Sequence, residues 1–276
     1  MSVRIRTRDA PGTARDPPGR CAMMLMVSVQ NLEEAREAVA GGADIVDVKN
    51  LREMMVGSNF PPVIREVRNA FPKQIHVSVT LGVAPNQAGT VALAVYGAAA
   101  LGATSVKVGF VQSDYATALR ILRESRRALE GSDTKLIAAT FADSHLYEGI
   151  DPALVVKLGK ESRSDGILID TLVKDGRNLF DFIQEPTLKD LVLEAKEAGM
   201  STALSGALKV TDLHALVRIN PDIVGVRGAV CTNGDRESGN VVASAVAALR
   251  DELQRRLSGK VDVFAEVEPP APRVLS

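Results

Sequence analysis

Short runs of β-branched and aliphatic residues recur eight times along the chain, each separated from the next by a longer connecting stretch. The runs are MLMVSV (24–29), ADIVDVK (43–49), QIHVSVT (74–80), SVKVGF (105–110), KLIAATF (135–141), GILIDT (166–171), STALSG (201–206) and DIVGVRG (222–228). Most are nearly continuous in apolar residues, as strands buried on both faces are, and their alternation with amphipathic stretches is the pattern of a parallel sheet with crossover helices. Eight units of this kind predict an α/β chain folded as one (β/α)8 TIM barrel. An open doubly wound sheet is the alternative, but no Gly-x-Gly-x-x-Gly turn follows the first strand.

The connecting segments carry helix punctuation. Asn31 stands where an N-cap is needed before LEEAREAVA, the acidic first turn suits the helix dipole, and Gly41-Gly42 ends the helix. Further helices are expected over 88–102, 114–130, 152–163, 186–199, 211–219 and 240–256. Residues 1–22 have several arginines but no apolar core, so they read as a disordered leader rather than a secretory signal. The barrel then spans 23–258, and the Pro-rich tail over 259–276 is expected to be flexible.

The 276 residues, 46% hydrophobic, suffice for one large core. Lys and Arg (33) nearly balance Asp and Glu (34), so no field favours nucleic acid or an anionic membrane, and a small molecule is the expected partner. No apolar run approaches the ~18–20 residues that span a bilayer. Two distant cysteines, Cys21 and Cys231, match neither a metal spacing nor a disulfide framework. No metal and no cofactor is therefore expected, and a cytoplasmic location is.

Active sites of such barrels lie at the C-terminal ends of the strands. There the second run ends in Asp47-Val48-Lys49, and residues two apart on a strand share a face. The fourth run holds Lys107, the sixth ends in Asp170, and Lys174 follows in the next loop. Strands two, four and six alternate around a barrel, so Lys49, Lys107 and Asp170 can converge at one height. The bland alternatives are a salt bridge stabilising the mouth for Asp47 and Lys49, an ammonium snorkelling between helices for Lys107, and a solvated side chain for Lys174. Clustered, buried ammonium groups repel one another, so one lysine of the set is expected to be partly neutral near pH 7 and able to form a Schiff base. Asp47 and Asp170 would then move protons.

Ser205-Gly206-Ala207 and Arg227-Gly228-Ala229 follow strands seven and eight, where barrels commonly bind phosphate through backbone N–H groups. Ser28, at the end of the first strand, is counted with them, and Arg227 or Arg236 is expected to add a charge-assisted contact. The bland reading is that the glycines only make tight turns. His76, His145, His214, Cys231, Tyr96 and Tyr115 lie away from the strand ends or in helices and loops, and structural roles are expected for them.

The strings ADIVDVKN, SVKVGF, LIDTLVKDGRNLFDF and DIVGVRGAVC with its following NGDR resemble the (5-formylfuran-3-yl)methyl phosphate synthase family, from about Met24 to about Leu253. The resemblance implies a lyase that condenses two glyceraldehyde 3-phosphate molecules into 4-(hydroxymethyl)-2-furancarboxaldehyde phosphate, the furan precursor of methanofuran and its methylotroph relatives. It implies that Lys49 forms the Schiff base, that Lys107 accepts the proton, and that Asp47, Asp170 and Lys174 assist. LREMMVGSNFPP after strand two and LGVAPNQAGT after strand three depart from the family pattern. Another phosphosugar aldolase or decarboxylase of the barrel class is the alternative, since a lysine in Asp-x-Lys can protonate carbon without an imine; a non-catalytic sugar-phosphate sensor is a further one. The partners implied are triose phosphates, and a homo-oligomer is expected.

Overall fold

Eight parallel strands close on themselves in sequence order in the computed structural model, which describes residues 23–53, 57–84 and 86–259. The strands are β1 (Met24–Val29), β2 (Ile45–Val48), β3 (His76–Ala84), β4 (Ser105–Phe110), β5 (Lys135–Phe141), β6 (Gly166–Asp170), β7 (Ser201–Leu204) and β8 (Ile223–Val226). Closure is made by β8 against β1, with Val226 opposite Val27, and leaves no open sheet edge. The expected leader over 1–22, and the expected tail beyond residue 259, lie outside the described residues.

Helices α1 (Leu32–Ala40), α2 (Pro61–Ala70), α3 (Ala88–Ala100), α4 (Tyr115–Ala128), α5 (Val155–Ser162), α6 (Leu179–Phe182), α7 (Glu185–Glu197), α8 (Leu213–Ile219) and α9 (Ala243–Leu257) surround the barrel. The Asn31 side chain accepts from the Glu34 N–H, so the expected cap of α1 is present. Helix α2 was not among the expected helices. Its first two residues are Pro61 and Pro62, which fit a helix start because their missing N–H groups have no partner there in any case. The expected helix over 152–163 begins instead as a 3₁₀ turn at Pro152–Leu154, and that over 211–219 at Val210–Asp212. None of the helices among the described residues is long and apolar enough to cross a membrane.

Side chains alternate along every strand, and the two sets make separate cores. Leu25, Val27, Val46, Val48, Val77, Val79, Val106, Val108, Ile167 and Ile169 face the helices and join one large cluster. Ile137, Ala139, Leu168 and Ala203, with Ile223 against them, fill the barrel interior as a second, small cluster. Burying such a side chain contributes about 1.5–3 kcal/mol, so the outer set holds the helices to the barrel. The inner set is too small to fill the axis. Above it the inward positions include Ser28, Asp47, Thr80, Lys107, Asp170 and Ser205, all buried and polar, with Phe141 among them.

Candidate active site

β2 ends one residue before Lys49, whose backbone N–H still donates to the Val29 carbonyl at 3.0 Å. The chain therefore keeps strand parity through Lys49, and its ammonium lies 3.4 Å from Oδ2 of Asp47. From β4, Nζ of Lys107 meets Oδ1 of the same carboxylate at 2.6 Å. The Thr80 hydroxyl on β3 donates to both Asp47 oxygens, at 2.9 and 3.1 Å, and that of Ser28 reaches Oδ2 at 3.5 Å. Lys107 also lies 3.3 Å from the sulfur of Met26 on β1. It is 4% exposed and points along the barrel axis rather than out between helices.

Burial opposes the Asp47 carboxylate, but Lys107 and then Lys49 outweigh it and hold the group below the usual carboxylate range. Burial pulls Lys107 below an ordinary lysine, and the attraction of Asp47 offsets this only in part. One carboxylate thus serves two ammonium groups in a site with almost no access to water.

A second ion pair stands across the mouth. Lys174 Nζ lies 3.2 Å from Oδ1 of Asp170 and also donates to the carbonyl and hydroxyl of Thr171. Burial raises the pKa of Asp170, yet Lys174 and Lys49 bring it down to about 2. Lys174 itself is lowered, chiefly by burial. The loop carrying this pair is fastened by Asp143, completely buried after β5, whose carboxylate accepts from the N–H groups of Leu172 and Val173.

Lys49, Asp170 and Ser205 line two cavities at once. The deeper holds about 20 Å³ and is also walled by Asp47, Thr80, Lys107 and Phe141. The outer holds about 560 Å³ and extends past Lys174 to Gly206, Ala207, Gly228, Ala229 and Arg236. Among the described residues the N–H groups of Gly206, Ala207, Gly228 and Ala229 meet no acceptor of the chain. Gly206 has φ +118°, and a Cβ there would stand 3.0 Å from Cγ2 and 3.1 Å from N of Thr171. Only glycine accepts both the conformation and the close approach. At Gly225 on β8 a Cβ would collide with the Ser205 hydroxyl and the Met26 methyl, so the missing side chain makes room for both.

Arg227, expected with Gly228 and Ala229 at the phosphate, lines the outer cavity with them. Its guanidinium is bound within the chain: Nη1 and Nη2 pair with Glu34 of α1 at 2.8 and 3.0 Å, and the remaining N–H groups go to the carbonyls of Ser28, Arg236 and Gly239. All five donors are engaged, so none is left for a ligand. Ser28, expected at the phosphate, directs its hydroxyl to Asp47 while lining the outer cavity. His76 opens β3 at the opposite end of the barrel, His145 lies against Phe182, and Nδ1 of His214 meets the carbonyl of Thr211. Tyr96 is exposed and Cys231 buried. Thr80, Met26, Asp143 and Glu34 belong to the arrangement and carry no sequence motif; for Thr80 the signal was strand parity alone. Among the described residues no group of three or more His, Cys, Asp or Glu could hold a metal ion.

Residues 25–250 match the family model described as 4-HFC-P synthase. The chain is 40% identical over 230 residues to a (5-formylfuran-3-yl)methyl phosphate synthase of Methanococcus aeolicus, covering 82% of this chain and 98% of the relative. It is 43% identical over 232 residues to the synthase of that name from Methanopyrus kandleri, covering 83% and 98%. A solved 3-hexulose-6-phosphate synthase from Salmonella typhimurium superposes with a TM-score of 0.59 at 17% identity, covering 86% of this chain and 99% of that one, which speaks for the fold alone. With a family model spanning the barrel and relatives matched over nearly their whole length, the chain belongs to the 4-HFC-P synthase family and is an enzyme of the (5-formylfuran-3-yl)methyl phosphate synthase type.

Proposed function

We propose that the chain condenses two molecules of glyceraldehyde 3-phosphate into 4-(hydroxymethyl)-2-furancarboxaldehyde phosphate through a Schiff base on Lys49, supplying the furan of methanofuran or a related one-carbon carrier. The sum is balanced without oxidant or reductant: two triose phosphates give one furan aldehyde phosphate, one inorganic phosphate and two waters. One triose isomerises to the ketone and condenses with the Lys49 amine, releasing water. The enediol of the second triose expels its phosphate, and the methylene carbon of the resulting enol attacks the iminium carbon, which makes the carbon-carbon bond at the branch point of the furan skeleton. The free hydroxyl of the first triose closes the ring on the ketone carbonyl of the second, and loss of one water and expulsion of the Lys49 amine, each with a ring proton, complete the furan and free the lysine.

The observation that carries this reading is the place of Lys49, shared by the closed floor with Lys107 and Asp47 and by the open cavity with the unpartnered N–H groups. Lys107, lowered by burial and held 2.6 Å from Asp47, is suited to take up and return a proton. Asp170, kept ionised by Lys174, is a base at the opposite wall. The N–H groups of Gly206, Ala207, Gly228 and Ala229 offer a seat for one phosphate.

Incubation with glyceraldehyde 3-phosphate and borohydride, followed by peptide mass spectrometry, is expected to leave a reduced adduct on Lys49. A decarboxylase-like lysine that only protonates carbon leaves none, and that result removes the imine. A rising ultraviolet absorbance of a furan aldehyde is expected in parallel; a flat trace from folded enzyme removes the condensation itself. A Lys49→Ala variant is expected to bind the triose without turnover, whereas a wild-type chain that binds and never turns over is a sensor.

A further inference from the structure

We propose that Arg227 and Glu34 are positioning residues for the substrate phosphate: their buried pair pins the hairpin over 231–241 and so sets the phosphate seat beside it. This rests on the reading above that a phosphorylated substrate occupies the outer cavity. The hairpin is held at its base, where Cys231 bridges Val241 and the Thr232 N–H donates to the Asn240 carbonyl. Its far arm is tied to the barrel by Arg227, through the carbonyls of Arg236 at 2.8 Å and Gly239 at 3.4 Å. The same guanidinium takes the Ser28 carbonyl at the end of β1 and both oxygens of Glu34 on α1. Glu34 is fixed in turn, since its Oε2 also accepts from the Gln30 N–H at 2.8 Å. One planar fork therefore ties together the β8 end, the β1 end, α1 and the hairpin at the seam where the barrel closes.

Two consequences bear on the phosphate. Residue 227 immediately precedes Gly228 and Ala229, so the bonds that anchor its side chain hold in place the stretch of backbone that carries their N–H groups. The bond to the Arg236 carbonyl holds the backbone from which the Arg236 side chain enters the cavity. A bidentate, planar group is needed for this, because five donors leave in fixed directions; a lysine has three and cannot reach all the same acceptors.

The test uses Glu34→Gln and Arg227→Lys in the full chain, with folding checked by circular dichroism and thermal denaturation. Inorganic phosphate is titrated while ³¹P line position is followed. Both variants are expected to bind it at least tenfold more weakly than wild type. Imine trapping at Lys49 supplies the second readout: the preference for glyceraldehyde 3-phosphate over unphosphorylated glyceraldehyde is expected to fall at least tenfold, with trapping of glyceraldehyde itself within about twofold. Arg227→Lys retains the positive charge, so unchanged phosphate affinity in it overturns the proposal, as does a wild-type chain that binds no phosphate at millimolar concentration. Equal loss for both aldehydes means a general structural role and overturns it too. Should Glu34→Gln fail to fold, Arg227→Lys decides alone. Absence of any Lys49 adduct in wild type counts against the Schiff base, and the phosphate titration then decides the positioning role by itself.

Discussion

Replacing Asp47 by asparagine removes one negative charge at almost constant volume, so its effect on stability isolates the electrostatics of the barrel floor. Asp47 faces Lys107 at 2.6 Å and Lys49 at 3.4 Å, and all three side chains are buried. Breaking a buried pair by removing one partner destabilises by about 3–5 kcal/mol, because the other charge is left uncompensated. For Lys107 the loss has a ceiling, since the amine can release its proton instead. From an ordinary value near 10.4, at about 1.36 kcal/mol per pH unit, that release costs about 4.6 kcal/mol at pH 7 and about 1.9 kcal/mol at pH 9. A lysine lowered in the folded state leaves the unfolded state holding more protons, so stability rises with pH. The deficit of Asp47→Asn is therefore expected at about 3–4 kcal/mol at pH 7, and it should shrink toward pH 9 until wild-type Lys107, already lowered by burial, starts to lose its own proton. Urea unfolding at pH 7, 8 and 9 with unchanged m values measures this directly. A deficit constant across that range would mean a packing fault, and no deficit at pH 7 would mean that Asp47 is not the counter-ion of these lysines.

Asp170, brought to about 2 in the folded chain, contributes stability that is present above its unfolded value near 3.9 and lost as pH falls toward about 2. Asp170→Asn is expected to lose about 2–3 kcal/mol at neutral pH and to flatten the pH 2–4 slope of stability; wild-type and variant curves that stay parallel there contradict the pairing with Lys174. An acid limb of kcat/KM with a midpoint above pH 4 then belongs to another group. Gly206→Ala forces a side chain into φ +118° and against Thr171, so a loss of more than ~1 kcal/mol, about 2–4 °C in Tm per kcal/mol, and a raised KM are expected. An unchanged Tm would show that the turn relaxes freely. Asn31→Ala removes the cap of α1, whose side-chain oxygen accepts from Glu34 N at 2.9 Å, and should destabilise by about 1 kcal/mol in thermal denaturation.

The barrel was legible because its two periodicities are clean. SVKVGF and KLIAATF match β4 and β5 residue for residue, since each run is bounded by turn residues and carries apolar side chains toward the helices. Helix α2 was not legible, because Pro61 and Pro62 read as breakers although they stand at the helix start. In the site, Asp47, Lys49, Lys107 and Asp170 stood out as charges in strands otherwise apolar, and strand parity sufficed to bring them to one axis. Parity gave no sign of where Arg227 would turn. Its acceptor Glu34 lies 193 residues earlier in the chain, a charged residue buried beside Ala35 and Ala38 in what reads as the solvated acidic first turn of an ordinary amphipathic helix. Thr80 and Asp143 were missed for a like reason: each acts through a hydrogen bond to a distant strand or loop, and neither breaks the local pattern.

The division of the site into a floor and a mouth constrains how the proposed reaction can use its lysines. The floor cavity, at about 20 Å³, has room for about one water, and Met26, Phe141 and Leu168 are among its walls. A triose phosphate does not fit there, while the outer cavity of about 560 Å³ has space for two. A substrate held by its phosphate at Gly206 and Gly228 therefore presents to Lys107 only the few atoms that pass Lys49. A covalent bond to Lys49 is the arrangement that keeps those atoms at the threshold. On the proposed reading Lys107 and Asp47 then exchange protons with the carbon next to the imine, at a floor with room for about one water.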